Sequence, residues 1–167
     1  MRLVLTTTLA CLVAVPALAA DMSVTVAIPQ LDVAEYHRPY VAIWIERPDH
    51  SVAAPVALWY DVKKRNGEGT EWLKDLRQFW RRVGREMTVP ADGITGPTQA
   101  PGTHEINLDP AVSKLPAGDY TLVVEAAREV GGRELLSLPF SVPGTGAQSP
   151  AAEGKSELGR ITLNLKP

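Results

Sequence analysis

Cysteine is almost missing. The 167-residue chain has one, Cys11, inside the uncharged run from Leu3 through Ala20. A lipoprotein signal would want Leu or a similar residue three positions earlier, where Thr8 stands, so Cys11 reads as a small apolar residue of an export leader. The mature chain then has no thiol, and disulfides, iron-sulfur clusters and Cys-based zinc sites are excluded together. Charge of one sign is also lacking: the formal net charge is -2, without a basic tail, which argues against nucleic-acid binding. The three histidines, His37, His50 and His104, fall in different segments without paired spacing, so they read as surface or loop residues and no metal site is expected. No Ser-His-Asp arrangement, phosphate-cradling Gly loop or paired-carboxylate spacing supports an independent hydrolase, and no catalytic residue is assigned.

The first residues carry an address. Met1 and Arg2 form a short positive n-region, Leu3 to Ala20 an apolar region, and Ala17-Leu18-Ala19-Ala20 a small-x-small cleavage site. We read residues 1–20 as a secretory signal peptide cut after Ala19 or Ala20. The competing reading is an uncleaved anchor, since the run reaches the lower limit for a spanning helix; Thr6, Thr7, Thr8 and Pro16 dilute it. Arg2 stands alone, so there is no twin-arginine signal. The chain should cross the membrane unfolded and acquire any cofactor outside.

Residues 21–167 have the length of one domain and should bury about two thirds of their extended surface. Alternating apolar and β-branched residues predict strands at Met22–Ile28, Tyr40–Glu46, Pro55–Val62, Thr103–Leu108, Asp119–Glu129, Arg133–Val142 and Leu158–Leu165. Short strands at near-regular spacing indicate a mainly β protein: an Ig-like antiparallel β-sandwich with one amphipathic helix. Glu129 to Arg133 reads as a hairpin turn, and "LPAGDYTL" as a turn feeding a central strand. The Pro/Gly-rich segment 143–157 is expected to be a mobile loop. The helix is predicted in "TEWLKDLRQFWRRVG", with Trp72, Leu73, Leu76, Trp80 and Val83 on one stripe sealing the core and Phe79 at its edge. Thr70 can cap its start and Gly84 can end it.

After Gly84 come almost twenty residues without periodicity, and a loop this long in a small domain is commonly functional or disordered. Within it stands D-G-I-T-G-P-T, Asp92 to Thr98. This stretch resembles the D-x-x-[ST]-G-A-T acceptor sequence at which FAD:protein FMN transferases attach FMN in flavin-carrying subunits of the sodium-pumping quinone reductase and Rnf complexes. The resemblance implies that Thr98 is esterified to the FMN phosphate, with Asp92, Thr95 and Gly96 as recognition residues; Pro97 replaces the usual Ala. The pattern also makes chemical sense. A Thr hydroxyl is a poor nucleophile, so the modifying enzyme must supply the base or metal that activates it. Gly93 and Gly96 permit close backbone approach, Pro97 holds Gly96 out of the helical region, and Asp92 offers a carboxylate. The plain alternative is a turn that uses Asp, Gly, Thr and Pro for ordinary turn reasons.

Across nearly the whole mature chain, "RPYVAIWIERPDHSVAAPVALWYD", "EWLKDLRQFWRR", the Asp-Thr loop before "APGTHEINLD", and "LPAGDYTLVVEAARE" resemble the DUF2271 family of predicted periplasmic proteins. That resemblance implies a periplasmic location and an association with membrane PepSY-type redox or metal-uptake proteins and FMN transferases. The expected function is an exported redox-associated protein that carries FMN on Thr98 and exchanges electrons with a membrane partner. The rival is a flavin-free binding module of such a system. Trp44, Trp59, Trp72 and Trp80 offer either a stacking surface for a flavin or an ordinary aromatic core. Arg81, Arg82 and Arg85 face either a phosphate, an acidic partner or simply solvent.

Overall fold

The computed structural model describes residues 22–144 and 146–165. The signal-peptide expectation for residues 1–20 therefore lies outside the described residues. The alternating segments form strands β1 (Met22–Ile28), β2 (Tyr40–Glu46), β3 (Val52–Tyr60), β5 (Gly102–Asn107), β6 (Gly118–Ala127), β7 (Arg133–Val142) and β9 (Arg160–Leu165). Two three-residue strands, β4 (Thr95–Pro97) and β8 (Ala151–Glu153), complete two sheets. The first sheet runs β5-β1-β9-β8 and the second β4-β3-β2-β6-β7. All pairings are antiparallel except β3 with β4. The architecture is mainly β, a two-sheet sandwich, as the strand spacing predicts.

The core lies between the sheets, where Val24, Val26, Ile161 and Leu163 meet Val41, Ile43, Ile45, Leu122 and Val124. Each such side chain contributes roughly 1.5–3 kcal/mol by leaving water. The Tyr120 hydroxyl donates to the Pro116 carbonyl at 2.8 Å, so "LPAGDYTL" enters β6 through a corner tied by its own tyrosine, as in Ig-like sandwiches. The β6–β7 hairpin closes with Arg128 N–H donating to Gly132 O and Gly131 N–H to Arg128 O.

A second apolar layer covers the outer face of the five-stranded sheet. Ala42, Trp44, Leu58, Tyr60, Val123 and Ala127 point to it, and Leu73, Leu76 and Phe79 cover them. The central strands are thus buried on both faces. This is why β2 reads YVAIWIE, an almost unbroken apolar run, and not a strict alternation.

The covering segment differs from the single amphipathic helix expected. It consists of 3-10 turns over Arg65–Asp75, one α-turn, α1 (Arg77–Phe79), and a π-turn over Trp80–Gly84. Leu76 interrupts the helical backbone with ψ 73°. The break follows from a tertiary contact: the buried Glu125 carboxylate on β6 accepts the main-chain N–H groups of Gln78 and Phe79, which fixes a helix start after Leu76. The buried stripe shifts accordingly. Phe79 lies in the core against Trp44, ring centroids 5.9 Å apart, whereas Trp80 is half-buried and Trp72 exposed.

Segment 143–157 is likewise not loop throughout. Ala151–Glu153 pairs with β9, and the Glu134 carboxylate on β7 accepts the main-chain N–H groups of Lys155, Ser156, Glu157 and Leu158. Composition reports intrinsic propensity; it carries no sign of a carboxylate on a neighbouring strand that gathers four amides.

Candidate functional site

The D-G-I-T-G-P-T stretch begins as a tight turn. Ile94 and Thr95 N–H both donate to the Ala91 carbonyl, and Gly93 takes φ 73°, a conformation that favours glycine. The Thr95 hydroxyl closes the turn, donating to Ala91 O at 2.9 Å and accepting Ala91 N–H at 3.1 Å. Asp92 projects from the turn and is exposed.

The chain then runs as β4 along the edge of the five-stranded sheet, with Thr95, Gly96 and Pro97 beside Leu58, Trp59 and Tyr60. Leu58 N–H donates to Ile94 O and Thr98 N–H to Tyr60 O. Position 97 therefore faces its nitrogen away from β3, so Pro97 costs no ladder bond and leaves the sheet edge unable to extend there. Thr98 does not sit on an exposed loop, as the sequence suggests. It is half-buried and pinned beside Tyr60 and Asp61.

Thr98 lines a cleft of about 400 Å³, within the size range of small-molecule sites. Of Asp92, Thr95, Gly96 and Thr98, it alone reaches this cleft. The walls come from the segment before β2 (Tyr36, His37, Arg38), from Tyr40, from the stretch after β3 (Asp61, Lys64), from Trp72 and Asp75, and from the β6–β7 turn. Trp72 is 43% exposed, with Lys64 Nζ over its ring 5.5 Å from the centroid, so a large aromatic side chain stands partly open to solvent in the cleft. The Tyr40 hydroxyl donates to Gly69 O at 3.1 Å, tying the 3-10 segment to β2. Burial raises the Tyr40 pKa and outweighs a backbone hydrogen bond from Asp61 that lowers it, with the Asp61 and Glu129 charges adding to the rise, so the phenol stays protonated.

The turn at the far wall is unusual. Val130 adopts φ 53°, a left-handed conformation costly for a β-branched residue, and is 79% exposed. Arg128, at the base of the same turn, is held by Glu157 with Nε to Oε2 at 2.7 Å and Nη2 to Oε1 at 3.2 Å. Gly132 N–H donates to Glu157 Oε1 at 2.7 Å.

The other candidates are dispersed. Trp44 and Trp59 are core residues and Trp80 belongs to the outer layer, which leaves Trp72 as the tryptophan of the cleft. Arg81 bonds Gln78, and Arg82 is engaged by His50 O and Glu46; none of Arg81, Arg82 and Arg85 lines the Thr98 cleft. Of the histidines, His37 lines the cleft between Glu35 and Glu129, while His50 pairs with Glu46 and His104 packs edge-on against Trp59. Among the described residues no group of three or more metal-ligating side chains occurs.

The family model described as a predicted periplasmic protein, DUF2271, matches residues 21–160. The chain belongs to the DUF2271 family. The match runs from β1 to the first residue of β9, so it takes in the whole cleft and all of the sandwich except the rest of β9. No curated protein and no solved structure matches this DUF2271 chain.

Proposed function

We propose that this DUF2271 protein is a redox-associated carrier whose Thr98 bears FMN and whose cleft houses the attached flavin while electrons pass to or from a membrane partner. One observation carries the reading: the residue marked as acceptor by the Asp92 to Thr98 pattern is the one member of that pattern that lines the cleft. The residues present fit the group. Thr98 supplies the hydroxyl and the half-exposed Trp72 an aromatic ring for stacking, while Tyr40, whose proton goes to Gly69 O, leaves its oxygen as an acceptor. Bound flavin would supply one- and two-electron chemistry that none of these side chains has.

Attachment balances as a phosphoryl transfer. The Thr98 Oγ1–P bond forms, the P–O–P bond of FAD breaks, AMP leaves, and the hydroxyl proton passes to a base of the transferase. The substrate strand is accessible for this. β4 has three residues at a sheet edge, so its release from β3 breaks few hydrogen bonds, and a chain exported unfolded meets the enzyme before β4 docks.

A binding module without flavin is favoured by a different observation, the strained and exposed Val130 and the exposed Trp72 that both line the cleft. Co-expression with an FAD:protein FMN transferase in an exporting host separates the two. The carrier reading expects a yellow, fluorescent band that survives denaturing electrophoresis. A colourless band beside a labelled control acceptor overturns it in favour of the module.

A further inference from the structure

We propose that Arg128, with Arg38 and the Tyr36 hydroxyl, forms a subsite in the Thr98 cleft that binds a phosphate group. Arg128 is built into the fold as a fixed donor. Its side chain is 6% exposed, its Nε and Nη2 are occupied by Glu157, and Gly131 leaves it room, since a Cβ there would stand 2.7 Å from Nε and Nη2. Its Nη1 is buried and, among the described residues, has no hydrogen-bond partner. Unmade bonds of a buried guanidinium are costly, and an anionic oxygen is the acceptor that offsets the cost best.

The surroundings favour the same ligand class. Arg38 is exposed, lines the cleft and makes no ion pair among the described residues. The Tyr36 hydroxyl makes one long bond, 3.4 Å to Pro29 O, which leaves it free to turn to a ligand. Tyr36, Arg38 and Arg128 line the same cleft; burial raises the Tyr36 pKa, the Arg128 and Arg38 charges lower it and the Glu157 carboxylate raises it. Of the acidic groups, Glu129 faces His37 at 3.7 Å, Asp61 and Asp75 also line the cleft, and Glu157 takes Arg128 Nε and Nη2, which leaves Nη1 as the donor unpartnered among the described residues. Donors on separate side chains suit a tetrahedral anion with several oxygens better than a planar carboxylate with two. The source of the phosphate, either the ester on Thr98 or the free ion, is the part that rests on the flavin reading; the subsite itself does not.

Inorganic phosphate and free FMN are titrated calorimetrically into the unmodified mature Thr98→Ala protein. The expected result is saturable one-to-one binding that Arg38→Gln and Arg128→Lys each weaken about tenfold, the loss of one charge-assisted hydrogen bond. Arg128→Lys keeps a cation beside Glu157; should it unfold in a melting control, Arg38→Gln alone decides. Absence of saturable binding, or affinity untouched by Arg38→Gln, overturns the subsite. Flavin-loaded wild type that no longer takes up phosphate upholds it with the ester as occupant, and loaded protein that still binds upholds it with the free ion. A wild type that never acquires flavin but binds phosphate removes the carrier reading and leaves the subsite standing.

Discussion

The Glu125 carboxylate accepts the Phe79 main-chain N–H at 2.7 Å from a side chain with no solvent exposure. The same carboxylate accepts Gln78 N–H and a bond from Arg133 Nη1, so one glutamate on β6 starts α1, holds the outer layer on the sheet and neutralises a cation. Glu125→Ala should cost about 3–5 kcal/mol, the range for breaking a buried charged network on one side. Denaturant unfolding measures it, and a loss under about 1 kcal/mol, the scale of an exposed pair, would show that the cap is dispensable.

The shift of the buried stripe by this cap makes a second prediction. Phe79→Ala should cost about 3–5 kcal/mol as a truncated core aromatic. Trp80→Ala should cost less, on the order of 1–2 kcal/mol, because that ring is half-buried. Thermal melts of the two variants give the order directly; equal losses would return Trp80 to the core.

Much of the sandwich is legible in the sequence because alternation is a local signal. Met22–Ile28, Tyr40–Glu46 and Arg133–Val142 are strands over the same residues that the pattern marks. β4 and β8 are invisible because three residues cannot display a period, and Gly96 and Pro97 read as punctuation. The periodicity from Trp72 to Val83 identifies a covering segment correctly but misplaces Phe79 and Trp80, since Glu125, far along the chain, decides where the helix begins. The pattern from Asp92 to Thr98 marks a candidate acceptor. The cleft around it draws on residues from Tyr36 to Val130, and no short window could join Arg128 to Thr98.

Glu134 makes a pH-dependent prediction. Burial alone would raise its pKa, but the N–H groups of Leu158, Lys155 and Ser156 and the Ser156 hydroxyl outweigh it, so the folded-state value lies below the ordinary 4.5. A carboxylate depressed on folding contributes stability that is fully present above the unfolded pKa and lost as pH falls through the folded one. The protein should therefore lose stability below about pH 4.5, and Glu134→Gln should be less stable at neutral pH with a shallower acid branch. Urea unfolding between pH 3 and 7 tests the sign, and parallel curves for the two proteins would contradict it.

Gly96 separates recognition from folding. A Cβ there would meet only Trp59 Cδ1 at 3.6 Å, an ordinary contact. Gly96→Ala should melt within about 0.5 kcal/mol of wild type, as uninvolved surface changes do. If Gly96 is a recognition residue, as the proposed carrier function has it, labelling by an FMN transferase should nevertheless fall sharply. Unchanged labelling would mean that Gly96 is a strand residue and nothing more.

The most direct test of the carrier account is intact-mass measurement with peptide mapping of the protein exported beside an FAD:protein FMN transferase. The account predicts one added FMN moiety, esterified through its phosphate, confined to the fragment containing Asp92 to Thr98 and absent from a folded Thr98→Ala variant. An unmodified wild-type mass, obtained from cells in which the same transferase labels a control acceptor, would contradict it.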